Sequence, residues 1–246
     1  MSSNVHSGVI TLLHTACGAG ILAMPYAFKP FGLIPGILMI AFCGLCSLLG
    51  LILQARVSQY VPTKAASFFS LTQLINPNLS VIFDLAIAVK CFGVGISYMI
   101  VVGDLLPQIL ATVTSNKTLL SRNVQITLVM LFIVSPLCFL KSLNSLRYAS
   151  TIALSSVAYL CALVIIHFFF PSQDILDLRG KVSIGLPREG LSPLTTIPIF
   201  VFAYTCHHNM FSVINEQKEP GFNNVKKIAL CSISFAFFLY LIIGGT

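Results

Sequence analysis

The sequence predicts an all-α polytopic membrane protein, and three observations carry that expectation. Hydrophobic residues make up 57% of the chain and charged residues 9%, against roughly 25% charged in a soluble domain. The apolar residues gather in continuous runs of about 20, the length that crosses a bilayer as a helix, and not in the alternating pattern of barrel strands. Two of these runs are interrupted at mid-depth, by Gly18-Ala19-Gly20 and by Tyr204-Thr-Cys-His-His-Asn209. Breaks of this kind weaken a helix and free backbone amides and carbonyls where there is no water. They are tolerated where the freed groups line a cavity and hold a ligand, as in many secondary transporters.

Taken in order, seven spans are expected, over 6–28, 32–54, 82–106, 124–142, 148–170, 193–214 and 225–245. The first is a retained span, because Met1 to Ser7 lack the basic region of a cleaved leader. Lys29-Pro-Phe-Gly32 turns the chain into the second, whose Gly36, Gly44 and Gly50 permit close helix approach. Residues 55–80 form a loop in which Phe68 to Ile75 reads as a short interfacial helix. Leu176 to Ser192 is the longest polar stretch and reads as an exposed loop. The whole of 1–246 forms one membrane domain, with a first five-helix repeat over about 6–170 and the start of a second over about 193–246. Five spans followed by two do not close a five-plus-five inverted repeat, so an incomplete carrier is expected.

The net charge of +7 is spread over the loops and gives no basis for nucleic-acid binding. With the amino terminus cytosolic, Arg56, Lys64, Lys141, Arg147, Lys218, Lys226 and Lys227 face the cytosol, and Lys29, Lys117, Arg122, Arg179, Lys181 and Arg188 face the other side. Three of the latter lie in the long loop, which counts little in the positive-inside rule, so the balance favours a cytosolic amino terminus. Asn116-Lys-Thr118 is then a sequon on the non-cytosolic side and Asn78-Leu-Ser80 one on the cytosolic side. All eight cysteines fall inside spans, where cysteine packs as a small hydrophobe. No cofactor and no metal is expected.

The residues around the breaks carry the chemistry. Bare amides and the positive helix end at Gly18-Ala19-Gly20 suit a carboxylate, which favours an anionic or zwitterionic solute. In the second break Tyr204, Thr205, His207 and Asn209 offer hydrogen bonds to a polar solute. Cys206, His207, His208 and Met210 are alternatively soft metal ligands, although consecutive side chains on a helix diverge by about 100°. A third reading has the histidines bond carbonyls freed by the break. His14, one turn before Gly18, is either a proton shuttle or a satisfied structural histidine. On the third span, which also carries Asp104, Tyr98 is the better pocket candidate beside Ser97, and Asp84 and Lys90 each need a partner on another span or must snorkel to the surface, with Lys90 reading as a structural pairing. A thiol–imidazole enzyme using Cys206 and His207 is disfavoured, because the two diverge and no orienting acid is evident.

Leu12-Leu-His-Thr-Ala-Cys-Gly-Ala-Gly-Ile-Leu-Ala-Met-Pro-Tyr-Ala-Phe28, Val102-Gly-Asp-Leu-Leu-Pro107 and Phe202-Ala-Tyr-Thr-Cys-His-His-Asn-Met-Phe211 resemble the amino acid/auxin permease family. Within it they are similar to the fungal vacuolar transporters of the branch that exports aspartate and glutamate. The resemblance implies a LeuT-like inverted-repeat fold of eleven spans, of which about seven are present. It also implies a vacuolar membrane location and an amino-acid substrate held between the first and sixth spans. Gly18, Ala19 and Gly20 would bind its carboxylate and amine through backbone, with Tyr204, Thr205 and Cys206 on the opposite wall. Sodium-coupled relatives have asparagine where this chain has His14, which implies protons as the coupling ion, with His14, His207 and Asp104 as candidates to carry them. Expected, then, is proton-coupled export of amino acids, acidic ones favoured, from vacuole to cytosol. The alternative is a truncated, non-transporting fragment or regulatory half-carrier of that family.

Overall fold

The first two helices meet at a bend of 53°, and that bend organises the structure. This is a computed structural model; it describes residues 4–18, 20–139, 147–173, 176, 183–185, 192–219 and 221–245, with the side chains of 147–149 left aside. Ala19, Lys141, Arg179, Lys181 and Arg188, named above, lie outside the described residues.

Helix α1 (Val5–Ala16) stops where Cys17 leaves helical geometry and Gly18 follows, and α2 (Gly20–Phe28) starts after the gap. Gly32 takes the left-handed φ of 76°, which glycine adopts without a Cβ penalty, and opens α3 (Leu33–Val57). Ser67 caps α4 (Phe68–Ile75) by accepting from the Ser70 amide at 2.9 Å. The long α5 (Ser80–Leu110) follows, then α6 (Arg122–Val129), a π-helical turn over Met130–Val134, and α7 (Ser135–Cys138). Helices α8 (Arg147–Phe169), α9 (Ile197–Ala203), α10 (His207–Glu216) and α11 (Phe222–Gly245) complete the order. Among the described residues there is no β-strand.

Among the described residues, five helical stretches are long and apolar enough to cross a membrane, or six with the bent pair α1–α2 taken as one span. Within the fourth expected span, 124–142, the described residues form a shorter apolar helix over Arg122–Cys138, and 140–142 lie outside the described residues. Pro136 supplies the reason for its irregularity: it has no N–H and its ring crowds the preceding turn, so the helix widens there. Ser135 takes up the loosened Met130 carbonyl, donating to it at 2.8 Å.

Helices α1, α2, α3 and α11 pack closely together, with α9 against α2 and α10 against α1 and α3. Leu12, Met24, Ile40, Phe200, Met210 and Tyr240 are fully buried at their junctions. Lipid tails are as apolar as these side chains, so association rests on close packing and hydrogen bonds. Glycines on α3 supply the close approach: a Cβ at Gly36 would meet the Phe28 ring at 2.6 Å, and one at Gly50 would meet the His207 ring at 2.6 Å. Polar ties add to it, with Ser232 donating to the Val9 carbonyl at 3.2 Å and Thr196 to that of Ala27 at 3.3 Å. Helix α4 is bound to α10 by the Phe68–Phe211 ring contact at 4.7 Å and by Asn215, whose amide both donates to and accepts from the Ala66 backbone. The apolar side chains of α5 are mostly exposed, and a surface of that extent needs a bilayer or a protein to cover it.

Asn116 is exposed between α5 and α6, and Asn78 is exposed just before α5. Opposite ends of one spanning helix therefore carry the two sequons. With a cytosolic amino terminus, endoglycosidase treatment shifts the wild-type protein and the Asn78→Gln variant, but not Asn116→Gln. The reverse pattern places the amino terminus on the other side.

Candidate functional site

Both breaks open onto one cavity of about 720 Å³. Its walls come from α1–α2 (His14, Gly18, Gly20), α5 (Tyr98), α8 (Ser150) and the second break (Thr205). The breaks touch each other: a Cβ at Gly20 would lie 2.8 Å from the Ala203 Cα, the last helical residue before the second break. A Cβ at Gly18 would collide with the Tyr98 hydroxyl. The small residues noted in sequence thus let α2 pass against α9 and let Tyr98 reach the first break.

Several freed backbone groups are answered by the protein itself. The Tyr240 hydroxyl lies 2.7 Å from the carbonyl oxygens of both Ala16 and Ala203, sharing its one proton between the ends of α1 and α9. Ser47 donates to the Tyr204 carbonyl at 3.1 Å, and Gln54 to that of His207 at 3.3 Å. Of the first-turn amides, that of Ile21 in α2 donates to the Gly18 carbonyl at 3.2 Å and that of Asn209 in α10 to the Cys206 carbonyl at 3.1 Å, while the others precede any i−4 carbonyl within their own helices. They leave positive helix ends at the cavity, suited to an anionic group.

The candidates fall into three groups. His14, Gly18, Gly20, Tyr98 and Thr205 line the cavity, while Ala19 between them lies outside the described residues. Tyr204, Cys206 and His207 are on the second break but not among the residues lining the cavity. Tyr204 is buried and packs edge-on against Tyr240 at 5.1 Å. His207 turns to the Ser47 carbonyl at 3.1 Å, where it borders a separate crevice between α3 and α9. Asp104 stands apart, paired with Arg122 at 3.1 Å where both side chains are about half exposed. A pair so exposed is worth at most about 1 kcal/mol.

Cys206, His207 and His208 point to three different surroundings, and among the described residues no three His, Cys, Asp or Glu side chains gather to hold a metal ion. His208 lines the cavity and its Nδ1 lies 2.6 Å from the Lys90 ammonium. Asn209 also lines it and donates to the Thr15 hydroxyl at 2.9 Å, linking the two breaks. Sequence reasoning set His208 among metal ligands and treated Lys90 as structural. A signal existed: Lys90, Val94, Tyr98 and Val101 follow the spacing of one helix face, and the last three line the cavity.

Residues 1–246 match the family model described as transmembrane amino acid transporter protein. The chain belongs to that family. It is 65% identical to vacuolar amino acid transporter 6 of Saccharomyces cerevisiae over 246 residues, covering 99% of this chain and 55% of that protein. It is 58% identical to vacuolar amino acid transporter 5 of the same yeast over 261 residues, covering 100% of this chain and 56% of that one. Sodium-coupled neutral amino acid transporter 7 of Danio rerio is 28% identical over 240 residues, with 94% of this chain and 50% of the relative covered. The chain therefore spans about half the length of the curated relatives it matches. No solved structure gives a significant match. These relatives are transporters by name and not enzymes, in keeping with the absence of any catalytic constellation expected from sequence.

Proposed function

We propose that this transmembrane amino acid transporter chain holds a free amino acid between its two broken helices and works as part of a secondary carrier. The observation that carries the reading is that both breaks open onto the same 720 Å³ cavity. The α-carboxylate sits against the backbone around Gly18, Ala19 and Gly20 with Tyr98 beside it, and Thr205 faces it from the second break. Tyr204, Cys206 and His207 hold the shape of that break from behind. The architecture is LeuT-like, with a first repeat over about 6–170 and a second beginning near 193. The membrane is that of the vacuole, the amino terminus is cytosolic, and substrate moves to the cytosol with protons. Acidic amino acids are favoured. The vacuolar names of the yeast relatives support the location, and the positive helix ends at the cavity support an anionic substrate.

Uptake of labelled aspartate and of a neutral amino acid into proteoliposomes, with and without a pH gradient, tests this. Accumulation that requires an acidic starting compartment is expected, and His14→Asn lowers the response to the gradient, because its imidazole borders the cavity. Uptake indifferent to the gradient removes protons from the mechanism. No uptake of any amino acid by the full-length protein removes the carrier reading.

A further inference from the structure

We propose that Lys90, presented by His208, is the group that selects an anionic substrate side chain, an inference that rests on the amino-acid carrier reading above. An ammonium within a membrane span is costly and calls for a partner. Among the described residues Lys90 forms no ion pair; the one salt bridge there is Arg122–Asp104. Its partner is the His208 ring at 2.6 Å. An ammonium has only hydrogens to offer, so Nδ1 of His208 accepts and the ring proton resides on Nε2. In this pairing the imidazole is neutral, no described carboxylate compensates the charge of Lys90, and two of its three N–H groups remain for other acceptors.

The position of this charge gives it a use. Lys90 borders a side pocket of about 600 Å³ between α5 and α9. Val94, Phe202 and Thr205 line both that pocket and the main cavity, so the two adjoin. Apart from Lys90, Ser97 and Thr205, the side pocket is walled by Gly93, Val94, Pro198 and other apolar residues. Among the described residues no carboxylate lines either space. A substrate whose α-carboxylate lies at the first break projects its side chain toward this pocket, where a second carboxylate meets the ammonium and a neutral side chain leaves it unpaired. The low-dielectric wall strengthens that discrimination, and a site built to pair a charge rejects the uncharged isostere.

Glutamate and glutamine differ by that charge at nearly equal size, so their uptake ratio in proteoliposomes of the full-length protein is the readout. Lys90→Met removes the cation, and His208→Glu neutralises it with a resident carboxylate. Each lowers the glutamate-to-glutamine ratio about tenfold or more, whereas Lys90→Arg holds it near the wild-type value. An unchanged ratio in Lys90→Met and His208→Glu overturns the proposal, as does a wild-type protein that prefers glutamine. A variant-free measurement guards against misfolding: glutamate inhibits wild-type uptake more strongly than its γ-methyl ester, and equal inhibition overturns the proposal. If the wild-type protein carries no amino acid, the carrier reading itself fails, which is a different result.

Discussion

Gly20→Ala slows uptake about tenfold or more. The added Cβ falls 2.8 Å from the Cα and 3.3 Å from the amide nitrogen of Ala203, and those are backbone atoms that no rotamer change can move. Helices α2 and α9 must separate, at a cost of about 1–3 kcal/mol for overpacking. The displacement falls where the two breaks meet, so it shifts the first-turn amides of α2 relative to the second break. An initial rate at least roughly tenfold lower is expected, since each 1.4 kcal/mol of misfit corresponds to about that factor. Gly95→Ala is the control, because nothing lies within 4 Å of a Cβ added there. Rates are compared per molecule in the membrane. Wild-type rate in Gly20→Ala shows that close approach of the breaks is not required.

Tyr240→Phe removes one oxygen and takes the hydroxyl donor from two carbonyls, of which that of Ala16 keeps, among the described residues, only the Gly18 amide at 2.8 Å. Ala16 ends α1 and Ala203 ends α9, and the hydroxyl of Tyr240, fully buried on α11, lies 2.7 Å from each carbonyl oxygen. A buried acceptor left unpaired costs about 1–3 kcal/mol, and the bilayer offers no water to replace the donor. Both helix ends lose the tie that holds them at one point. The variant melts at a lower temperature in detergent than wild type, and its transport falls as well. Wild-type stability in Tyr240→Phe, with no change in melting, contradicts the view that this hydroxyl joins the breaks.

The breaks themselves were legible because Gly18 and Gly20, and the polar run after Ala203, have no reason to lie in lipid-facing helices. Their boundaries, the short helix Phe68–Ile75 and the glycine face of α3 follow from local sequence in the same way. What stayed hidden depends on rotation and on partners distant in the chain. Whether Tyr204 and His207 face the cavity or the opposite side is set by Ser47, Gly50 and Gln54 on α3, some 150 residues away. Neither the join made by Tyr240 nor the contact of Lys90 with His208 can be read from one element alone. The widened turn at Met130–Val134 reflects Pro136, a local effect that the apolar character of the stretch does not show.

The most direct measurement is a density map of the full-length protein with a bound amino acid. The account predicts the α-carboxylate within hydrogen-bond distance of the α2 first-turn amides and the Tyr98 hydroxyl, with Thr205 on the facing wall. An amino acid resolved away from both breaks, in the crevice beside His207 or outside the helices, contradicts it.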